Sequence, residues 1–487
     1  MTLNDTLWSP LGASPERRVI ELDDRRDMAQ IFDEVAGLEY SCFLDSSLPM
    51  EKYGRHSFIG FDPYLVLTTK GTHARFLSRG GEVLTFENLD PFEALRMAMR
   101  SGQETQAARH GLPPFLGGGI GYLSYELGRY VEDLPETVED DLDLPELAFA
   151  FFDRVVAADL TNGRKWLVVS ADRDADMDSS IARALSRIEP GAGEAARGET
   201  RVPPEASTGS PLEFECGFTK DEYLSSVARV KEYILAGDIY QANLSQRFSA
   251  PLVEPAWSLY RRLRVMNAAP FSAYLNFGDF AVASSSPERF LEVDGQEVQT
   301  RPIKGTTRRY ADPDEDERSR NELMESRKDH AELSMIVDLE RNDLGRVCEY
   351  GSVKVEDHAV LESYATVHHL VSTVVGDLHR GRDMIDLLRA TFPGGSITGA
   401  PKIRSIEIID ELEPTARSVY TGAIGYFGTD GHHDLNIAIR TMIIKGGRVY
   451  FQVGGGIVAD SQPESEFQET LDKGKAMFDA VTGAGKD

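Results

Sequence analysis

The chain has 487 residues, of which 41% are hydrophobic and 9% aromatic, a composition typical of a folded globular protein. Its formal net charge of −28, from 52 basic and 80 acidic residues, argues against nucleic acid or an anionic membrane as a partner. An anionic substrate is still compatible with this charge, provided that the binding cleft is locally positive or carries a metal.

Cysteine content and the lack of a targeting signal indicate in which compartment the protein is expected. Cys42, Cys216 and Cys348 are too few and too scattered for a disulfide framework or a zinc site, so ordinary reduced thiols are expected. No basic start followed by an apolar stretch is present, and no run approaches 18 apolar residues. The sequence predicts a cytoplasmic protein without a membrane-spanning helix.

Composition divides the chain once. Residues 189–210 are mostly Gly, Ala, Glu, Pro, Ser and Thr, which is typical of a linker or surface loop. We therefore predict an N-terminal part over 1–190, a linker over 191–213 and a C-terminal part over 214–487.

The N-terminal part has the pattern of strands with interspersed helices. Strands are predicted over 57–61 and 64–67, with a turn at Asp62 and Pro63. The glycine-rich stretch 117–122 lacks the Gly-Lys-Ser/Thr ending and the GxGxxG spacing of phosphate loops. A closely packed glycine-rich strand is the better interpretation.

The C-terminal part opens with a predicted helix. Thr219 and Glu222 form a capping box, and Gly237 ends the helix. Its apolar face is formed by Tyr223, Val227, Val230 and Ile234. Strands over 280–283 and 448–453 alternate with helical stretches in a mixed order, which indicates an α+β fold.

Carboxylates recur on two predicted helices. In the helix over 321–343 the core face is Leu333, Ile336, Val337 and Leu344, and another face carries Glu325, Asp329 and Glu332. In the second helix, which Ser461 and Glu464 would cap, Glu466, Glu469 and Lys473 share one face. These faces are either solvated ion-pair surfaces or oxygen ligands for a hard cation such as Mg²⁺.

Three further features have two interpretations each. Gly454, Gly455 and Gly456 follow a strand and form either a tight bend or a backbone nest for a carboxylate. Arg440 interrupts an apolar strand and needs a structural acid or a substrate carboxylate as its partner. Lys304 is either a solvated lysine at a strand end or a buried amine whose lowered pKa makes it a nucleophile.

Taken in order, these motifs resemble one family. The family is the chorismate-utilising enzymes, which include anthranilate, aminodeoxychorismate, isochorismate and salicylate synthases. The matching segments span nearly all of 217–478 and are 238–243, 285–290, 301–307, 338–343, 369–372, 392–402, 420–422, 440–441, 454–458 and 463–473.

The resemblance implies a fold and a set of binding roles. The fold would be α+β, with two antiparallel β-sheets packed face to face, helices on the outside, and the N- and C-terminal parts intermixed. Glu332 and Glu469, with Glu466 nearby, would bind Mg²⁺ against the ring carboxylate of chorismate. The implied substrate-binding residues are Thr300, Ser396, Tyr420, Arg440, Gly454, Gly455, Gly456 and Lys473, with Arg440, Tyr420 and the three glycines at the enolpyruvyl carboxylate.

The resemblance also implies catalytic roles. His369 would lie against the ring near the leaving 4-hydroxyl, and Glu288 would be the general acid and base. Anthranilate synthases have alanine at the position of Lys304, whereas aminodeoxychorismate synthases have a lysine thought to attack ring C2. Lys304 therefore implies Mg²⁺-dependent amination of chorismate to 4-amino-4-deoxychorismate, with ammonia from a separate glutaminase subunit.

Two alternatives stay open, an anthranilate synthase large subunit and a catalytically silent chorismate-binding regulatory protein. Ser46 matches a segment that helps to form a tryptophan pocket in anthranilate synthase. The sequence here is Phe-Leu-Asp-Ser rather than the usual Leu-Leu-Glu-Ser. A purely structural role for Ser46 is the other interpretation.

Overall fold

Two large antiparallel sheets carry the fold. A computed structural model describes residues 16–49, 53–100, 111–171, 176–193, 212–310, 312–363 and 367–483. In chain order the strands are β1 Glu16–Glu21, β2 Cys42–Asp45, β3 His56–Gly60, β4 Leu65–Lys70, β5 His73–Ser78, β6 Val83–Phe86, β7 Gly118–Leu123, β8 Leu147–Phe152, β9 Arg154–Asp159, β10 Arg164–Ala171, β11 Glu215–Cys216, β12 Gln241–Pro251, β13 Phe271–Asn276, β14 Phe280–Ser286, β15 Arg289–Asp294, β16 Glu297–Arg301, β17 Ile303–Arg308, β18 Lys354–Ser363, β19 Val367–Asp377, β20 Gly399–Ala400, β21 Ala423–Gly428, β22 His432–Ile437, β23 Thr441–Lys445 and β24 Arg448–Ile457.

Helices and two 3₁₀ turns connect the strands. The α-helices are α1 Met28–Phe32, α2 Pro91–Arg100, α3 Met177–Ile188, α4 Lys220–Ala236, α5 Ala256–Met266, α6 Pro313–Glu325, α7 Arg327–Gly345, α8 Met384–Thr391, α9 Lys402–Leu412 and α10 Pro463–Thr482. The 3₁₀ turns are Tyr125–Tyr130 and Gly395–Ile397. Within the described ranges, no helix is both long and apolar enough to cross a membrane.

Strands from both parts of the chain build each sheet. The first sheet has the order β1-β10-β9-β3-β2-β13-β14-β23-β24-β12-β11, with β20 on β12. The second has the order β17-β19-β16-β15-β22-β21-β7-β8-β4-β5-β6, with β18 on β19. The N- and C-terminal parts thus intermix in both sheets, whereas most of the predicted linker lies outside the described residues.

The hydrophobic core lies in layers. One cluster joins the facing sides of the two sheets, for example Phe58 and Val282 from the first and Ile120 and Tyr426 from the second. Separate clusters cover each outer face with helices. Because successive strand residues point to opposite faces, Phe58 packs between the sheets and Ile59 packs under the outer helices. The predicted α+β fold, with two antiparallel sheets face to face and helices outside, is confirmed.

Local predictions in the strands and in α4 are confirmed. The glycine-rich stretch forms β7, where a Cβ on Gly121 would lie 2.0 Å from Ala148 O, so only glycine permits this approach. Thr219 and Glu222 form the predicted capping box of α4. Gly237 ends that helix with φ at 83°, in the left-handed region.

Two helix predictions were wrong. The helix predicted over 321–343 is broken at Ser326, whose hydroxyl accepts a hydrogen bond from Asp329 N at 3.3 Å, so Glu325 ends a different helix from Glu332. At α10 no described side chain caps the helix, because Ser461 Oγ accepts from Val458 N at 3.0 Å instead. The predicted capping box of Ser461 and Glu464 therefore does not form.

Candidate active site

Lys304 lies on β17 beside a buried turn. Its Nζ donates a hydrogen bond to Ser396 O at 2.9 Å, and Asn243 Nδ2 donates to the same oxygen at 2.9 Å. Burial lowers the pKa of Lys304 from its ordinary 10.5, and the nearby charges of Glu288 and Glu332 oppose this effect without overcoming it. The amine is therefore easier to deprotonate than a solvated lysine.

Glu288 follows β14 and faces the same space. Its side chain is buried, and burial raises its pKa, while Ser396 and the charge of Lys304 act in the opposite direction. The structure thus brings together a carboxyl whose pKa is raised and an amine whose pKa is lowered. Such a divergent pair is typical of acid–base chemistry near neutral pH.

Sequence reasoning missed Glu340, which lies behind this pair. Thr300, predicted to bind substrate, donates from Oγ1 to Glu340 Oε2 at 3.1 Å, and both side chains are buried. Burial and the neighbouring Glu288 charge raise the pKa of Glu340 well above 4.5. The signal was available, because Glu340 follows Leu333, Ile336 and Val337 at helical spacing on the buried face of α7.

His369 on β19 is a buried, neutral imidazole. Its Nδ1 lies 2.7 Å from Thr306 Oγ1, on the strand that carries Lys304. Burial, with Arg440 and His368 acting in the same direction, lowers the pKa of His369 to about 3. The ring therefore carries no charge at neutral pH, which suits a side chain predicted to lie against a substrate ring.

We expect His369 to stay neutral between pH 5 and 8. An unfolded histidine takes up a proton near pH 6.5, whereas the folded pKa is about 3. Folding therefore excludes that proton, and the contribution of His369 to stability is lost as the pH falls from 6.5 towards 3. A His369 ring resonance in NMR spectra that titrates between pH 6 and 7 in the folded protein would contradict this.

The predicted metal ligands come from α7 and α10. Glu332 Oε1 is buried without a hydrogen-bond partner among the described residues, at 3.8 Å from Lys328 Nζ. Burial raises the pKa of Glu332 and of Glu466, and the charge of Glu469 adds to the rise in both. The residues that the structure describes include no ready-made cluster of three metal-ligating side chains. An orphaned buried oxygen among mutually repelling carboxylates nevertheless fits a hard cation.

Lys473 supplies the positive charge in this region. Its Nζ lies 2.7 Å from Glu469 Oε1 and donates to Gly454 O at 3.2 Å. Burial raises the pKa of Glu469, but Lys473, with Lys328 and Lys304 acting in the same direction, outweighs this and the net shift is downward. Glu469 and Lys473 therefore form the i,i+4 ion pair expected of a solvated helix face. Both side chains also border the region that contains Glu332 and Glu466.

The three glycines form neither a bend nor a nest. Gly454, Gly455 and Gly456 continue β24 and pair with β12, and none has the positive φ that a nest requires. Pairing of β24 with β23 stops at Phe451, so the glycines lack that neighbour. The predicted bend and the predicted nest are therefore both wrong. Binding of substrate by the N–H groups of these glycines stays a prediction.

Gly455 and Gly454 offer a matched pair of tests. A Cβ on Gly455 would meet Glu466 Oε2 at 3.4 Å and both Glu469 Oε1 and Lys473 Nζ at 3.7 Å, ordinary contacts inside the site. A Cβ on Gly454 would lie 2.7 Å from Leu244 O, which is backbone.

We therefore expect Gly455→Ala to keep the wild-type melting temperature and to lose about tenfold or more in activity, because the methyl group occupies space needed for correct positioning. We expect Gly454→Ala to be destabilised by about 1–3 kcal/mol. Thermal melts together with turnover rates separate the two cases. Equal melting temperatures and equal activities for both variants would refute the conclusion that Gly455 borders the site whereas Gly454 packs against backbone.

Arg440 has no carboxylate partner among the described residues. Its Nη1 donates to Asn267 Oδ1 at 3.1 Å, and burial lowers its pKa. Arg417, by contrast, is paired with Glu413 at 2.6 Å and lies over the ring of Tyr420, whose pKa burial raises. Arg440 is thus a half-buried guanidinium without a carboxylate partner among the described residues, as expected for binding a substrate carboxylate.

Ser46 lies away from Lys304, in the wall of a cavity. The cavity has a volume of about 440 Å³, and Arg289, Glu292 and Asp434 contribute to its wall, but Lys304 does not. Ser46 Oγ is 2.6 Å from His56 O and 3.2 Å from Pro270 O, so its hydroxyl has structural acceptors. Its participation in a tryptophan pocket stays a prediction.

None of the three cysteines is an activated thiol. Burial raises the pKa of Cys42, of Cys216 and of Cys348, the last to about 11. All three are free, and each favours the unreactive protonated form at neutral pH.

Comparison with known proteins identifies the family. The family model described as chorismate binding enzyme matches residues 45–479. Aminodeoxychorismate synthase component 1 of Escherichia coli is 40% identical over 456 residues, covering 93% of this chain and 96% of the relative. Anthranilate synthase component 1 of Streptomyces coelicolor is also 40% identical, over 479 residues covering 95% and 88%.

Solved structures agree on the fold. Anthranilate synthase component I of Streptococcus pneumoniae is 32% identical with a TM-score of 0.72, over 87% of this chain and 92% of that one. The menaquinone-specific isochorismate synthase of Escherichia coli, at 18% identity and a TM-score of 0.69 over 96% and 95%, shares the fold. With a family model that spans most of its length, the chain belongs to the chorismate-binding enzymes and is a chorismate-utilising enzyme.

Proposed function

We propose that the chain aminates chorismate at C4 to give 4-amino-4-deoxychorismate. Identity does not discriminate, since relatives named aminodeoxychorismate synthase and anthranilate synthase both reach 40%. The observation that carries the proposal is Lys304, a half-buried lysine whose amine has a lowered pKa and donates to Ser396 O at 2.9 Å, beside Glu288, whose pKa is raised. An amine in that state suits covalent catalysis, a role that an alanine at this position lacks.

The substrate is a dianion, and the site can balance its charge. Arg440, which lacks a carboxylate partner among the described residues, would bind the enolpyruvyl carboxylate together with Tyr420 and the backbone N–H groups of Gly454 to Gly456. Glu332, Glu466 and Glu469 would hold Mg²⁺, which would supply positive charge for the ring carboxylate. Local positive groups thus allow a chain with a net charge of −28 to bind an anion.

The proposed chemistry uses Lys304 and Glu288 twice. In the first step the neutral Lys304 Nζ attacks ring C2, the two ring double bonds each shift by one position, and the C4–O bond breaks. Glu288 donates its proton to the departing hydroxyl, which leaves as water. In the second step ammonia attacks C4, the double bonds shift back and the C2–N bond to Lys304 breaks. The Glu288 carboxylate then takes one proton from the new C4 ammonium.

We expect the purified chain to use ammonia but not glutamine. Glutamine hydrolysis needs an activated nucleophile, and Cys42, Cys216 and Cys348 are protonated thiols. The chain with chorismate, Mg²⁺ and an ammonium salt should yield a product that retains the enolpyruvyl group, identified by mass spectrometry. Glutamine in place of ammonium should yield none, and a separate glutaminase subunit is therefore implied.

The same experiment distinguishes the alternatives. Anthranilate and pyruvate as products would favour an anthranilate synthase, the activity named for several relatives of similar identity. Absence of any turnover with ammonia would favour a silent chorismate-binding protein. Glutamine-dependent turnover by the chain alone would contradict the need for a second subunit.

A further inference from the structure

Ser396 contacts both of the proposed catalytic groups. Its backbone oxygen accepts a hydrogen bond from Lys304 Nζ at 2.9 Å. Its side chain hydrogen-bonds to the buried carboxyl of Glu288, which opposes the rise in the pKa of that carboxyl. Ser396 lies in the 3₁₀ turn Gly395–Ile397 and is itself buried. The position of this turn therefore sets where the amine and the acid lie relative to each other.

The side chain of Asn243 on β12 is the second donor to the same backbone oxygen. Asn243 Nδ2 lies 2.9 Å from Ser396 O, the same distance as Lys304 Nζ, so two nitrogens share one acceptor. A carbonyl oxygen has two lone pairs, and two donors hold its direction more firmly than one. A Cβ on Gly456, the residue opposite Asn243 in β24, would lie 3.2 Å from Asn243 Oδ1. The amide therefore fills the space between β24 and the turn.

The backbone of Asn243 is held independently of its side chain. Its N–H donates to Thr398 O at 2.8 Å, and its carbonyl oxygen accepts from Arg417 Nη2 at 2.7 Å. Arg417 also donates from Nη1 to Ile397 O at 3.2 Å and pairs with the buried Glu413 at 2.6 Å. The strand and the turn are thus joined by backbone contacts that a change in the Asn243 side chain leaves in place.

We propose that Asn243 positions the Lys304 amine for the covalent step, an inference that rests on the proposed function. The Asn243 amide holds the Ser396 carbonyl, and that carbonyl holds one N–H of Lys304. A neutral amine attacks along its single lone pair, so the hydrogen bond that fixes one N–H also sets the direction of attack on ring C2. A misplacement of about 1 Å can cost about 100-fold in rate, even though every reacting group is still present.

Two substitutions of nearly the same shape remove the donor. Asn243→Leu replaces the amide by an apolar group, and Asn243→Asp replaces the N–H donors by a carboxylate. Ser249→Ala, further along β12 where Ser249 Oγ accepts from Arg448 Nη2 at 3.0 Å, is the control. Each full-length variant is mixed with Mg²⁺ and a series of chorismate concentrations in the absence of ammonia. The rate of adduct formation on Lys304 is measured by quenched-flow mass spectrometry, and thermal melts report the fold.

The maximal rate of adduct formation should fall about tenfold or more in both Asn243 variants. The chorismate concentration that gives half of this rate should stay within about threefold of wild type, because the lost contact positions the amine and not the substrate. The loss at neutral pH should be larger for Asn243→Asp. The amide nitrogen and Lys304 Nζ lie within 2.9 Å of one oxygen, and a carboxylate so close keeps the amine protonated. Ser249→Ala should match wild type.

Three results would overturn the positioning role of Asn243. The first is adduct formation at the wild-type rate in both Asn243 variants, and the second is a loss of the same size in Ser249→Ala. The third is unfolding of both Asn243 variants, since the side chain would then be needed for the fold itself. Wild-type protein that forms no adduct would instead refute the proposed function.

Discussion

Replacement of Lys304 by alanine is expected to abolish a covalent adduct with chorismate and to lower turnover by about 100-fold or more. The expectation follows from the position of Nζ, held at 2.9 Å from Ser396 O in a setting that lowers its pKa. Some direct attack of ammonia on the ring can persist, because the remaining groups still bind the substrate. Lys304→Arg should be equally inactive, since a guanidinium keeps its proton and does not attack.

The adduct is measured directly. Wild-type protein is incubated with chorismate and Mg²⁺ in the absence of ammonia, and the peptide that carries Lys304 is examined for a mass increase. Lys475→Ala, a control on α10 whose lysine pairs with Asp479 at 2.9 Å, should form the adduct normally. An unmodified Lys304, together with anthranilate and pyruvate when ammonia is added, would assign the chain to the anthranilate synthase reaction.

The direction in which turnover changes with pH follows from Lys304 and Glu288. Attack requires the neutral amine, so the rate rises with pH through the pKa of Lys304, which is lowered from 10.5. Departure of the hydroxyl requires protonated Glu288, so the rate falls with pH through a pKa raised from 4.5. A bell-shaped profile of kcat/KM is expected, and Glu288→Gln should remove its descending limb.

Local sequence signals predicted the fold well where one interaction decides the structure. The α4 capping box needs only Thr219, Glu222 and the backbone between them, and it forms as predicted. At α10 the same type of signal failed, because Ser461 Oγ accepts from Val458 N in the preceding loop. Whether Ser461 binds the first turn of its helix or the preceding loop depends on the position of the loop backbone. The spacing of residues in the sequence does not contain this information.

The functional site likewise has features that the sequence predicted and features that it did not. Motif resemblance placed Lys304, Glu288 and Ser396 in one enzyme, and the structure brings them together. It did not predict that Thr300 would bind Glu340, because the contact joins β16 to α7 across the fold. The prediction for the consecutive glycines rested on the backbone conformations that glycine can adopt. At Gly454 and its neighbours in β24, what matters instead is that glycine has no side chain.

Loss of Mg²⁺ is expected to abolish turnover, and Glu469→Ala is expected to do the same while leaving the fold intact. Three carboxylates, from Glu332, Glu466 and Glu469, face a region in which Glu332 Oε1 is buried without a hydrogen-bond partner in the part of the chain that the structure describes. Burial raises the pKa of Glu332 and of Glu466 and the charge of Glu469 adds to the rise, so a divalent cation would offset this cost of placing carboxylates together.

The side chain of Glu469 is 48% exposed and its ion pair is with Lys473, an exposed pairing that contributes little to stability. A thermal melt of Glu469→Ala should therefore match wild type, while calorimetric titration with Mg²⁺ should show weakened binding. Asp472→Ala, on the same helix, is the matched control and should keep both activity and binding. Full activity of Glu469→Ala, or of the wild type in excess EDTA, would remove the metal from the mechanism. The carboxylate face of α10 would then be only the ion-paired surface that its i,i+4 spacing also predicts.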